Sequence, residues 1–121
     1  MKYTIDKQEQ YTILKLQEEK LDTVLAPNLK SELVTINAEG IKNLILDLGE
    51  VKYTDSSGLS AILVGNRVFS ESNGFFVIAN VTDHVLKLVR ISQLDSVLNI
   101  ATNVAEGIEA ILSSLEEKEE E

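Results

Sequence analysis

The sequence predicts an α/β protein: a mixed sheet of about five strands with four helices packed on it, in the order ββαβαβαβα. Three features carry that expectation. Leu44-Ile45-Leu46-Asp47-Leu48 and Phe75-Phe76-Val77-Ile78-Ala79 are short, nearly unbroken apolar runs, which suit strands covered on both faces. Segments with helical spacing alternate with strands from Leu44 onward, so parallel pairing through right-handed crossovers is expected. The amino end instead carries two short β-rich segments around a polar turn, which adds an antiparallel edge.

Taken in order, Tyr3 to Lys7 and Tyr11 to Leu16 form the expected hairpin, with Gln8-Glu9-Gln10 between them. That turn lacks Asn-Gly or Asp-Gly, so its type is not fixed by sequence. Glu18 to Thr23 is a polar loop with one buried-looking residue, Leu21. A helix is expected over Val24 to Ala38, where Leu25, Leu29, Leu33 and Ile36 share a face. Pro27 suits its first turn, where a missing N–H costs nothing. Asp22 or Thr23 is the expected cap, and Gly40 is placed to end the helix in a left-handed conformation.

Asn43 to Leu48 is the central strand, and Asp47 within it must reach an edge or find a partner. Gly49 to Lys52 is a loop. A helix follows over Leu59 to Ser72, with Leu59, Ile62, Leu63, Asn66 and Phe69 on one face and Ala61, Gly65 and Val68 on a smaller one. Asn73-Gly74 stops it before the strand Phe75 to Ala79. Thr82-Asp83 is expected to cap a helix carrying Val85, Leu86, Leu88 and Val89, and Ser96 to Ile100 reads as a short strand. Asn103-Val104-Ala105-Glu106 is a capping box opening a last helix striped with Val104, Ile108, Ile111, Leu112 and Leu115.

The composition narrows the function. A chain of 121 residues, 44% hydrophobic and 26% charged, is expected to be one soluble globular domain over 1–121. Its end, Glu116 to Glu121, is expected to be a solvated acidic tail. The absence of cysteine excludes disulfides, thiolate catalysis and cysteine-bound metal, and a single histidine excludes a histidine-rich metal site. A net charge of −9 argues against nucleic acid and against insertion at an anionic membrane surface. No apolar run nears the ~20 residues of a membrane span, and the amino end has no signal-like core, so a cytoplasmic protein without a cofactor is expected.

One stretch concentrates chemistry: Tyr53-Thr54-Asp55-Ser56-Ser57-Gly58-Leu59. A carboxylate and two hydroxyls stand where a helix begins, beside N–H groups without intrahelical partners. Ordinary capping needs only one of them. Glycine so early in a helix is locally costly, yet it lets another surface come close to the backbone. A Ser-His-Asp arrangement can in principle be drawn from Ser57, His84 and Asp47 or Asp55. No Gly-x-Ser-x-Gly elbow, Walker loop or dinucleotide fingerprint accompanies it, and His84 is expected in the solvent-facing first turn of a helix. The chain is therefore not expected to be an enzyme, and no catalytic or metal-ligating residue is assigned.

A strand followed by Tyr-Thr-Asp-Ser-Ser-Gly-Leu-Ser-Ala-Ile-Leu resembles the signature of STAS domains, the sulphate-transporter and anti-sigma-factor-antagonist family. Leu21-Asp22 with Ala26, the strand Leu44 to Leu48, and the segment from Leu94 resemble other parts of that family, so the resemblance spans nearly the whole chain. It departs at Leu25, where a Thr-Ala pair often stands, and at Lys20, where glycine is usual. The resemblance implies a soluble anti-sigma factor antagonist that binds an anti-sigma factor serine kinase. The kinase would phosphorylate Ser57 and so switch it off, and a serine phosphatase would restore it. Asp22, Asp55, Ser56, Ser57, Gly58 and Leu59 are the implied partner-facing residues. The alternative within the family is a non-phosphorylated STAS subunit of a lipid-transport or stress-signalling complex.

Overall fold

The computed structural model describes residues 1–120. Its strands are β1 (Tyr3–Lys7), β2 (Thr12–Leu16), β3 (Lys20–Leu21), β4 (Asn43–Asp47), β5 (Tyr53–Thr54), β6 (Phe75–Ala79) and β7 (Asn99–Ala101). Its helices are α1 (Ala26–Ala38), α2 (Ser56–Glu71), α3 (Asp83–Ile91) and α4 (Val104–Glu120). Five strands form one sheet in the order β1-β2-β4-β6-β7. β1 runs antiparallel to β2, with Ile5 opposite Leu14, and the remaining pairs are parallel. The mixed sheet, its antiparallel edge and its four helices match the sequence reading.

Alternation along the strands divides the core. Leu44, Leu46, Phe76 and Ile78 pack with Leu29, Leu33, Ile62 and Phe69 of α1 and α2, together with Val85 and Val89 of α3. Ile45, Val77 and Ala79 face the other way, onto Ile111, Ile108 and Leu115 of α4. The apolar runs of β4 and β6 thus serve two covered faces. Asp47, only 8% exposed, is satisfied locally: its Oδ1 accepts from the Gly49 N–H at 2.9 Å and from Asn80 Nδ2 at 3.2 Å.

Several boundaries differ from the sequence reading, each for a physical reason. A second, two-stranded parallel ladder joins β3 to β5, pairing Lys20 with Tyr53 and Leu21 with Thr54. β3 lies in a segment read as a loop, and β5 lies just past the loop Gly49 to Lys52, in a stretch to which the sequence reading gives no element. Between α3 and β7, Gln93 adopts φ 61° and Leu94–Ser96 forms a 3₁₀ turn, so β7 starts three residues later than expected. Thr82 flanks α3 but does not cap it; its hydroxyl donates to the Val51 carbonyl at 2.6 Å. Gly40 does take φ 102° after α1. α4 takes in Glu116 to Glu120 of the expected acidic tail, and Glu121 lies outside the described residues. Among the described residues, no helix is long and apolar enough to cross a membrane.

Candidate functional site

The parallel strands β2, β4 and β6 each lead into a helix, through β3, through β5 and directly. The heads of α1, α2 and α3 therefore gather at the carboxyl edge of the sheet, where α/β folds place their sites. The head of α2 is held there by the short ladder. Thr54, 1% exposed, donates its hydroxyl to the Leu21 carbonyl at 2.8 Å, which ties β5 to β3. Gly58 packs into this junction. A Cβ on it would collide with Thr54 Oγ1 and the Leu21 carbonyl oxygen. The close approach that glycine permits is therefore internal, not toward a partner.

α2 begins at Ser56, three residues ahead of the sequence reading, with Asp55 as its cap. Asp55 is extended (φ −117°, ψ −172°), and its Oδ1 accepts from the Gly58 N–H at 3.0 Å. The Leu59 N–H goes to the Asp55 carbonyl at 3.1 Å. The first-turn amides are thus partly committed, unlike the open set of N–H groups expected from sequence. The Gly58 N–H holds the Asp55 carboxyl below the usual carboxylate value, helped by the Thr23 hydroxyl and the Ser57 N–H against the opposing effect of burial.

Across from α2 lies the loop that follows β3. Asp22 does not cap α1, which starts with Leu25 as an uncapped flanking residue. Its Oδ1 accepts from the N–H groups of Val24 at 3.1 Å and Leu25 at 3.4 Å, folding the loop into a tight turn. The turn thrusts Val24 outward, leaving it 79% exposed. Thr23, the other expected cap, faces α2: its hydroxyl lies 3.3 Å from Asp55 Oδ2 and 3.2 Å from Ser57 Oγ. Tyr53 stacks on His84 of α3 with ring centroids 5.3 Å apart, extending the surface toward a third helix.

Of the residues implied as partner-facing, Asp22, Asp55, Ser56 and Ser57 lie at or near the surface here, and Ser57 is half-buried. Gly58 is buried and Leu59 is 4% exposed, so both belong to the core and fix the helix head instead of offering contacts. His84 is exposed and held by Tyr53. Thr23 and Val24 were not among the implied residues. The sequence reading places Thr23 only as a candidate cap of the first helix and Val24 as the first residue of that helix.

This corner, with an Asp-Ser-Ser-Gly helix head clasped by a loop from β3, sits inside a sequence match that spans most of the chain. The family model described as STAS domain matches residues 2–107. The chain belongs to the STAS domain family. Among relatives of this STAS domain is BtrV of Bordetella bronchiseptica, described as a candidate anti-sigma factor antagonist. It is 29% identical over 103 residues, covering 85% of this chain and 88% of BtrV. The anti-sigma-B factor antagonist of Bacillus subtilis is 24% identical over 90 residues, covering 74% and 82%. In fold, a candidate anti-sigma factor antagonist from Thermotoga maritima superposes with a TM-score of 0.80 at 23% identity, over 90% of this chain and 93% of that one. The anti-sigma factor antagonist SpoIIAA in its unphosphorylated form and the Bacillus SpoIIAA in its phosphorylated form superpose with TM-scores of 0.70 and 0.68 at 15% and 19% identity. Each match covers 91% of this chain, with 97% and 99% of SpoIIAA.

Proposed function

We propose that this STAS domain is an anti-sigma factor antagonist. It docks on an anti-sigma factor serine kinase through the corner formed by the 22–25 loop and the head of α2, and phosphorylation of Ser57 switches it off. The observation that carries the reading is the position of Ser57: its hydroxyl stands at the head of α2, 3.2 Å from the Thr23 hydroxyl, and the residue after Thr23 is the projecting Val24. The sequence relatives named as anti-sigma factor antagonists support the partner class. The two SpoIIAA forms show that a protein of this fold exists with and without phosphate.

The switch follows from electrostatics. A phosphate on Ser57 adds about −1.5 to −2 charges. An interface closing over the hydroxyl must then bury a dianion next to the Asp55 carboxylate, which costs several kcal/mol unless paired. A loss of ~3 kcal/mol weakens binding more than a hundredfold, with no rearrangement of the fold. No catalytic role, cofactor or metal is assigned to the chain; the phosphoryl chemistry belongs to the kinase and to a serine phosphatase that reverses it. Incubation with the cognate kinase and ATP is expected to add one phosphate, mapped to Ser57 by mass spectrometry. Ser57→Asp is expected to bind the kinase more than a hundredfold more weakly than the unmodified protein, and equal binding by the two overturns the switch.

A further inference from the structure

Thr23 is placed where a change at Ser57 is felt. Its hydroxyl has one hydrogen and two neighbours, Asp55 Oδ2 at 3.3 Å and Ser57 Oγ at 3.2 Å. A carboxylate can only accept, so the Thr23 hydrogen goes to Asp55. Ser57 must then be the donor in the other bond, and the order runs from the Ser57 O–H to the Thr23 O–H to the Asp55 carboxylate. Asp55 is itself fixed by the Gly58 N–H. Among the described residues, every hydrogen bond between the 22–25 loop and the head of α2 is made by Thr23. The residue after it is Val24, the most exposed large apolar side chain among those described.

We propose that Thr23 is a positioning residue, a clasp that holds the Thr23–Val24 segment against α2 and is closed by the Ser57 hydroxyl hydrogen. Its use in signalling rests on Ser57 being the modified residue; the clasp itself does not. Transfer of the γ-phosphoryl group of ATP forms an Oγ–P bond, breaks the bond to ADP and passes the hydroxyl proton to the kinase's base. Ser57 then has nothing to donate to Thr23. The one Thr23 hydrogen is contested between Asp55 and the phosphate oxygens, and two anions face each other across it. The clasp opens, and Val24 leaves the position it holds in the unmodified protein. The modification thus acts twice, by placing charge on the docking corner and by displacing its exposed apolar side chain.

The test is amide exchange at Val24 and Leu25 by NMR, with the Asp55 carboxyl titrated in the same samples. Thr23→Val is expected to speed exchange about fivefold, the factor one net hydrogen bond is worth, and Ser57→Ala to speed it by less. The double variant is expected to match Thr23→Val alone, because both changes remove the same link. Thr23→Ser is expected to behave as wild type. The Asp55 pKa is expected to rise in Thr23→Val and not in Thr23→Ser, a change that altered loop packing alone would not give. A protein with phosphoserine installed at position 57 by genetic-code expansion is expected to exchange at least as fast as Ser57→Ala. Wild-type exchange in that protein, or a double variant that adds to Thr23→Val, overturns the clasp. Should Thr23→Val fail to fold, the comparison of Thr23→Ser, Ser57→Ala and the phosphoserine protein decides the same point. Absence of phosphate on Ser57 in protein from its own cells overturns the switch reading separately, since the installed phosphoserine needs no kinase.

Discussion

The heads of α2 and α4 use the same chemistry to different ends. At α4, Asn103 Oδ1 accepts from the Glu106 N–H at 2.9 Å, and Glu106 Oε1 reaches back to the Thr102 N–H at 3.3 Å. Every partner lies within four residues, and the arrangement stands alone at an exposed corner. At α2, Asp55 makes the equivalent local bond to Gly58, but its second oxygen is engaged by Thr23, 32 residues earlier. A cap that serves only its own helix is closed within one turn. A cap that also receives a side chain from a distant loop links two parts of the surface, and a change in one is felt in the other.

The largest effect expected in this comparison is at Gly58, whose counterpart three residues after the α4 cap is the ordinary side chain of Glu106. Gly58→Ala forces a methyl group into Thr54 and the Leu21 carbonyl, and a loss of ~3 kcal/mol in denaturant unfolding is expected. Asp55→Ala comes next. Loss of the cap should cost about 1–2 kcal/mol, and binding of the kinase should fall with it because the Thr23 contact goes too. Asn103→Ala is expected to cost about 1 kcal/mol while leaving kinase binding unchanged. Loss of binding in that variant would remove the distinction between the two helix heads.

The smallest effect is in pH dependence. Asp55 has a folded pKa below its ordinary value of 3.8, so its charged form stabilises the fold. That contribution is present in full above the ordinary value and is lost as pH falls below it through the depressed folded value. Asp55→Asn keeps a capping oxygen but cannot titrate. Its stability, measured by urea unfolding from pH 6 down to pH 2.5, is therefore expected to fall less steeply than wild type at the acid end.

What the sequence showed and what it hid divide along the same line. The core strands, the stripe of α4 and the Asn103–Glu106 box were legible because their signals lie within one run of residues. Asp55 was legible for that reason as one of three candidate caps, beside Ser56 and Ser57. Thr23 was legible only as a candidate cap for α1; its real partners are 32 and 34 residues away, and no local pattern names them. The β3–β5 ladder was invisible because two residues have no period. Thr82 looked like a cap and instead donates to Val51, since a free hydroxyl takes the acceptor that tertiary packing brings within reach. Leu59 was read both as partner-facing, because it adjoins the motif, and as the start of the apolar face of α2; the structure follows the second reading and sends it into the core.

The pairing of Leu21 with Thr54 has a bearing on folding. It closes a span of 33 residues, so neither the nascent amino-terminal third of the chain nor a collapsed intermediate lacking that contact can display the corner. On the docking role proposed above, a partner that reads this corner accepts only molecules that have finished folding, and the proposed regulatory surface doubles as a certificate of nativeness.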